Sequence, residues 1–288
     1  MSNTWKLSNY LFSWFWKKRG KYIILGGMAC GALELLRAAW APNIRNMDSF
    51  YTPKSFRSYD IVIGQSFLGL IFSVSFLLLL LALFRQISDF EKDSKGIYTL
   101  YLLPMKRREV YCSFLLSGAA AIALFHLLWL VLVTTAYFPI MWAYQKLAAE
   151  QVFLVTQGVT ETGIDVSQTN GLFLAFQRSL FLSSRFPISL WSLLPFLGSM
   201  ALALTGILFA GFYRENAAIR VLISTACFML SFFVGPMLRT QVVTQLAVWW
   251  RYSANSLGAG MAAGLLAIIS AAAIQVFLIR KLDSRKRL

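Results

Sequence analysis

Six apolar stretches divide this 288-residue chain: Tyr22–Trp40, Ile61–Phe84, Val110–Tyr137, Ile188–Phe212, Ile219–Leu238 and Ser256–Ile279. Each is close to the roughly 20 residues that a helix needs to cross the hydrocarbon core of a bilayer. The expected fold is therefore an all-α integral membrane protein with six transmembrane helices, forming one transmembrane domain over 22–279. Composition agrees: 58% of the residues are hydrophobic and 14% charged, where an ordinary soluble domain carries about half and about a quarter. One soluble core of this size could not hide so much apolar surface. A soluble globular enzyme and a disordered chain are both excluded.

The net charge of +15 is explained by where the basic residues fall. With both termini inside, the inner segments 1–21, 85–109, 213–220 and 280–288 hold 18 Lys and Arg against 6 acids. The outer segments hold 8 basic residues against 5 acids, and Glu34 and Arg37 cancel within the first span. This distribution obeys the positive-inside bias only in the N-in, C-in orientation. The excess charge is a topology signal and not a nucleic-acid footprint, so no nucleic-acid partner is expected.

Residues 1–21 read as an amphipathic interfacial helix. Trp5, Leu7, Tyr10, Leu11, Trp14 and Phe15 recur near helical spacing, and Lys17, Lys18, Arg19 and Lys21 follow before the first span. Two readings stay open: an aromatic anchor in contact with membrane lipids, or a lever that moves with a cytoplasmic partner. The basic run followed by a short apolar stretch also has the outline of a signal peptide, but its long aromatic leader makes an uncleaved span the expectation. Cys30, Cys112 and Cys227 lie within spans or at their inner edges, and no disulfide is expected. The outer segment 138–187 has a polar middle, Thr160–Asn170, then a more apolar stretch, Leu172–Phe186, expected on the outer surface. The basic tail 280–288 is expected in the cytoplasm.

Catalytic chemistry is hard to find. There is a single histidine, His126, so paired-histidine haem ligation and two-histidine zinc motifs are excluded, and no metal site or catalytic residue is assigned. A lone histidine within a span reads as packed and hydrogen-bonded. No G-x-S-x-G or G-x-x-x-x-G-K-S/T pattern occurs, so the chain itself is not expected to bind ATP in the P-loop manner or to be an enzyme. Apart from Arg220 at the inner edge of the fifth span, Glu34 and Arg37, spaced i, i+3, are the charges inside a span. Burying ionisable groups is costly, which makes the pair either a neutralised structural ion pair or part of a substrate path.

The inner loop over 85–109 is the most informative segment. It starts acidic (Asp89, Glu91, Asp93), passes Gly96, presents the apolar run Ile97–Leu103, closes at Pro104 and resumes with Lys106, Arg107, Arg108 and Glu109. Seven residues cannot span a bilayer, and so apolar a run on a cytoplasmic loop implies burial against the bilayer interface or a partner protein.

This segment resembles the loop of ABC-2 type permeases, the membrane subunits of ABC exporters. Glu91, Gly96, Thr99, Leu100, Leu103, Pro104, Met105, Arg107, Glu109 and Val110 fit the family's pattern, an acidic residue, Gly-Thr, then Leu-Pro-hydrophobic-x-Arg-x-Glu-hydrophobic. The ending Val276–Asp283 is also similar, and the amphipathic start, six spans and inner termini extend the likeness over the whole chain. The chain departs from the pattern a few residues into the third span, where many relatives carry a lysine and this chain has Ser113 or nearby apolar residues, and in its long outer segment.

The resemblance implies a coupling helix, with Ile97, Tyr98, Leu100, Tyr101, Leu103 and Pro104 docking in a groove of a separate ABC ATPase subunit. Arg107, Arg108 and Glu109 would meet charges on its rim. It also implies a second permease subunit, and ATP and magnesium held by the partner with no cofactor in this chain. The plasma membrane and export by alternating access follow from the same likeness. An alternative of a different class is a non-transporting scaffold or immunity protein that recruits a cytoplasmic partner through the same loop. A third, a proton-coupled carrier, would need Glu34 as its titrating carboxylate.

Gly27 with Gly31, and Gly260 with Gly264, form two G-x-x-x-G patterns suited to close helix approach, within the chain or across a dimer seam. Gly235-Pro236 should end or bend the fifth span. The stretch Arg239–Asn255, with Trp249, Trp250 and Tyr252, reads as an outer interfacial helix, either an aromatic belt or, by the resemblance, an outer gate. Aromatic and small apolar surface with little fixed charge suits an amphipathic peptide or lipid-like substrate.

Overall fold

A computed structural model describes residues 3–40, 58–92, 106–155, 171–187, 190–213, 215–232, 234 and 255–284. Every extended regular element among them is helical: α1 (Asn3–Phe15), a π-helical turn (Trp16–Gly20), α2 (Lys21–Trp40), α3 (Tyr59–Gln65), α4 (Leu68–Lys92) and α5 (Arg107–Val155) come first. Then follow α6 (Leu172–Arg178), α7 (Leu180–Arg185), α8 (Leu190–Phe212), α9 (Ala217–Phe232) and α10 (Asn255–Ser284). Helices answer the physical demand on an apolar chain in lipid, since they satisfy their backbone N–H and C=O groups internally.

Five helical runs are long and apolar enough to cross a membrane: Asn3–Trp40, Leu68–Asp89, Arg108–Tyr144, Ser192–Phe212 and Gly260–Leu282. The chain thus has the character of a multi-pass membrane protein. The stretch expected as the fifth span is a shorter apolar helix, the 16-residue α9; residues 235–240 lie outside the described residues. α5 runs for 49 residues and continues through Pro139, so its helix extends well into the segment 138–187. Proline there leaves the Thr135 carbonyl without its usual donor four residues on.

The side chains of α4 separate into two faces. Leu68, Phe72, Leu79 and Leu83 are buried, whereas Leu70, Val74, Leu77 and Leu81 are exposed along the opposite side. Exposed leucines and valines at helical spacing form a stripe that water would penalise and acyl chains would cover.

The chain forms two compact units, 1–25 with 75–126 and 187–288, and 26–74 with 127–186. In the first, α8 packs closely along α10 and α9. A Cβ on Gly264 would stand 2.5 Å from the Pro195 nitrogen, and one on Gly198 would stand 2.7 Å from the Gly264 carbonyl oxygen. The glycines therefore allow backbone-to-backbone contact where no hydrophobic effect drives association. Leu202, Cys227, Val234, Ala267 and Ala271 form a buried cluster, and Gln275 Nε2 donates to Thr205 Oγ1 at 2.9 Å. Of the second glycine pattern, Gly264 is an intrachain contact and Gly260 has open space beside it.

In the second unit, Gly31 accommodates the buried Trp129, whose ring carbon would lie 2.8 Å from an added Cβ. Phe72 contacts Trp129, Phe181 and Phe186 edge to face, at centroid distances of 5.3, 5.6 and 6.2 Å. The Tyr59 hydroxyl donates to the Val133 carbonyl at 2.7 Å and that of Tyr144 to the Ala39 carbonyl at 2.8 Å. Cys30, Cys112 and Cys227 are free thiols.

Candidate functional site

In the first unit α1 grips the helices on both sides of the 93–105 loop. Leu7, Leu11 and Phe15, spaced i, i+4, i+8, are buried, while Trp5 and Tyr10 are exposed. The apolar face expected to enter the bilayer interface is thus divided: one stripe packs on the protein and the aromatic edge remains outside. Polar contacts fix the helix in place. Gln86 Nε2 of α4 donates to the Leu11 carbonyl at 3.0 Å. Arg19 Nη2 pairs with Asp89 Oδ2 at 2.7 Å. From α5, the Ser113 hydroxyl shares its proton between the Thr4 carbonyl at 3.0 Å and the Glu109 carbonyl at 2.8 Å. Ser113 thus anchors the start of α1.

Residues 93–105 lie outside the described residues, and with them Ile97, Tyr98, Leu100, Tyr101, Leu103 and Pro104. The restart after the loop is described. The Lys106 backbone N–H donates to Glu109 Oε2 at 3.3 Å, and the N–H groups of Glu109 and Val110 donate to the Lys106 carbonyl at 2.8 and 3.2 Å. This is one half of a capping box, a glutamate three residues into the helix reaching back to the cap. Glu109 therefore sets where α5 begins. Arg107 lies in the first turn of α5, and the Arg108 side chain is exposed.

In the second unit Glu34 and Arg37 form a two-point ion pair, Nε to Oε2 at 2.7 Å and Nη2 to Oε1 at 2.6 Å. Glu34 Oε1 also accepts the Phe67 backbone N–H at 2.9 Å, and the Arg37 guanidinium lies 5.4 Å from the centre of the Phe67 ring. The carboxylate thus joins α2 to the start of α4 with three donors, an arrangement suited to a structural joint.

Within Leu172–Phe186 the Arg185 guanidinium lies 5.2 Å from the centre of the Phe72 ring and donates to Ser73 Oγ at 3.2 Å. Burial pushes it below the ordinary arginine value. The signal for this was local: a cation amid Leu180, Phe181, Leu182 and Phe186 has no polar face to occupy. His126 is packed as expected, its Nδ1 2.9 Å from the Ile122 carbonyl and its ring edge to face with Phe76, Phe125 and Phe196. Trp249, Trp250 and Tyr252 lie outside the described residues. Among the described residues no group of three His, Cys, Asp or Glu could hold a metal ion.

Comparison with protein-family models, curated proteins and solved structures finds no match to this chain.

Proposed function

We propose that this chain is the permease subunit of an ATP-driven exporter of the ABC-2 type, residing in the plasma membrane. It works as a dimer with a second permease subunit and with two separate ATPase subunits that hold ATP and magnesium. The observation that supports this best is the grip of α1 and the π-helical turn after it on both helices that flank residues 93–105: Arg19 and Leu11 on α4, Thr4 on α5.

A device that converts motion of a cytoplasmic partner into motion of spans needs the receiving loop to be rigidly joined to them. A loop of apolar anchors, Ile97, Leu100 and Tyr101, fits a groove on such a partner. Closure of the ATPase pair around ATP pushes on the loop. α4 and α5 carry the displacement, and α1, bonded to both, follows and tilts α2 through the continuous helix at Gly20. Alternating access of the spans to the two sides is the result, and the apolar, aromatic interior favours an amphipathic peptide or lipid-like substrate.

The test is to express the protein from its own locus, extract it in mild detergent and assay ATP hydrolysis in the purified material. Vanadate-sensitive hydrolysis that stays with the chain is expected. Hydrolysis no higher than in an unrelated membrane protein purified in parallel contradicts the proposal.

A further inference from the structure

A groove of about 380 Å³ opens in the first unit between α4, α8 and α9. Phe84, Ala210 and Val221 supply its apolar wall, and Ser88, Arg220 and Ser224 its polar end. Val221 is 60% exposed and Phe84 38% exposed, so the wall runs out onto an apolar perimeter of the kind a bilayer covers.

Among the described residues the charge at the polar end is not neutralised from within. Asp89 is paired with Arg19 at 2.7 Å, and Glu215 with Lys281 at 2.5 Å. Among the described residues no carboxylate pairs with the Arg220 guanidinium. The leading N–H groups of α9 are occupied as well, since Asn216 Oδ1 accepts from Ala218 at 2.9 Å and from Ile219 at 3.3 Å. The anion-binding capacity of the groove therefore resides in Arg220, with Ser88 beside it. A site that joins one cation and small hydroxyls to an apolar channel open to lipid matches a phospholipid with an anionic headgroup.

We infer that this groove is a binding site for an anionic phospholipid, with the phosphate on Arg220 and an acyl chain along Phe84 and Val221. The site depends on membrane embedding and is independent of the export reading. A soluble anion would gain nothing from the apolar wall, and a zwitterionic lipid would bring its own cation against Arg220.

The test is native mass spectrometry of the full-length protein in detergent, with phosphatidylglycerol, phosphatidylcholine or soluble glycerophosphoglycerol added. Wild type should retain phosphatidylglycerol at least about fivefold more than phosphatidylcholine. Arg220→Gln should remove that preference and Arg220→Lys should keep it. Ala210→Phe, which fills the groove without altering charge, should also remove it. Arg178→Gln, at an exposed arginine outside the groove, should leave it unchanged. Equal retention of the two lipids by wild type would overturn the inference, as would full retention by Ala210→Phe. Displacement by the soluble headgroup at the same concentration would show a site for soluble anions and would overturn it too. If Arg220→Gln does not fold, Arg220→Lys and Ala210→Phe decide.

Discussion

Arg19 and Asp89 are 70 residues apart and meet at 2.7 Å, which ties the π-helical turn after α1 to the last turns of α4. Both side chains are about a quarter exposed, so solvent screens the pair and its worth in stability is small, on the order of 1 kcal/mol or less. Its value lies in geometry. We expect Arg19→Gln, Asp89→Asn and the double variant to melt within a few degrees of wild type in detergent, with a coupling energy of about 0.5–1 kcal/mol in the cycle. Each single variant should nevertheless lower ATP-driven activity of the assembled complex several-fold. Unchanged activity in both would separate the pair from the coupling path.

The glycine pair on α10 should behave asymmetrically. An added Cβ at Gly264 meets backbone at Pro195, whereas one at Gly260 meets nothing. Gly264→Ala is expected to destabilise by about 1–3 kcal/mol, and Gly260→Ala to be neutral or stabilising by a few tenths to about 1 kcal/mol, since alanine suits a helix better. Melting temperatures of the two purified variants check this; equal effects would contradict the close crossing of α8 and α10.

Much of this architecture was legible because it follows from short-range rules. The apolar lengths of Leu68–Asp89 and Gly260–Leu282 are set by bilayer thickness, and the helical spacing of Trp5, Leu7, Tyr10, Leu11, Trp14 and Phe15 marks an amphipathic helix without telling which stripe packs on the protein. What escaped depends on partners far away in sequence. The contacts of Arg185 with Phe72 and Ser73, more than 110 residues earlier, have no local sequence signal that names those partners. The continuation of α5 through Pro139 escaped because proline is a stop signal unless the surrounding helix outweighs one lost hydrogen bond. Lipid-facing and protein-facing leucines on α4 are chemically identical, so their separation needed the fold. The candidate docking loop was legible only as a pattern, and of its members the structure assigns a local role to Glu109 alone, the start of α5.

The ion pair in the second unit should act as a joint. Glu34→Gln keeps an acceptor for the Phe67 N–H but removes the charge facing Arg37. It should cost about 1 kcal/mol of stability and leave ATP-driven activity and its pH profile unaltered. A folded Glu34→Gln protein that loses all transport would instead favour a proton-carrying carboxylate.

Gln275 and Thr205 cross-link α10 and α8 at 2.9 Å. Replacing them with Leu and Val should give a coupling energy near 0.6 kcal/mol in a double-mutant cycle, typical of interhelical hydrogen bonds in membrane proteins. A cycle energy indistinguishable from zero would remove the bond as a contributor to helix association.

The central claim is that the 97–103 run docks on an ATPase partner, and the most direct measurement is retention of that partner by charge-inserted loops. Leu100→Glu and Tyr101→Glu, each extracted from native membranes at wild-type abundance, should lose ATP-hydrolysing activity at least about tenfold relative to wild type, because a carboxylate would have to be desolvated in an apolar groove. Wild-type retention of the ATPase by both variants would contradict the docking role of the loop, and the permease reading with it.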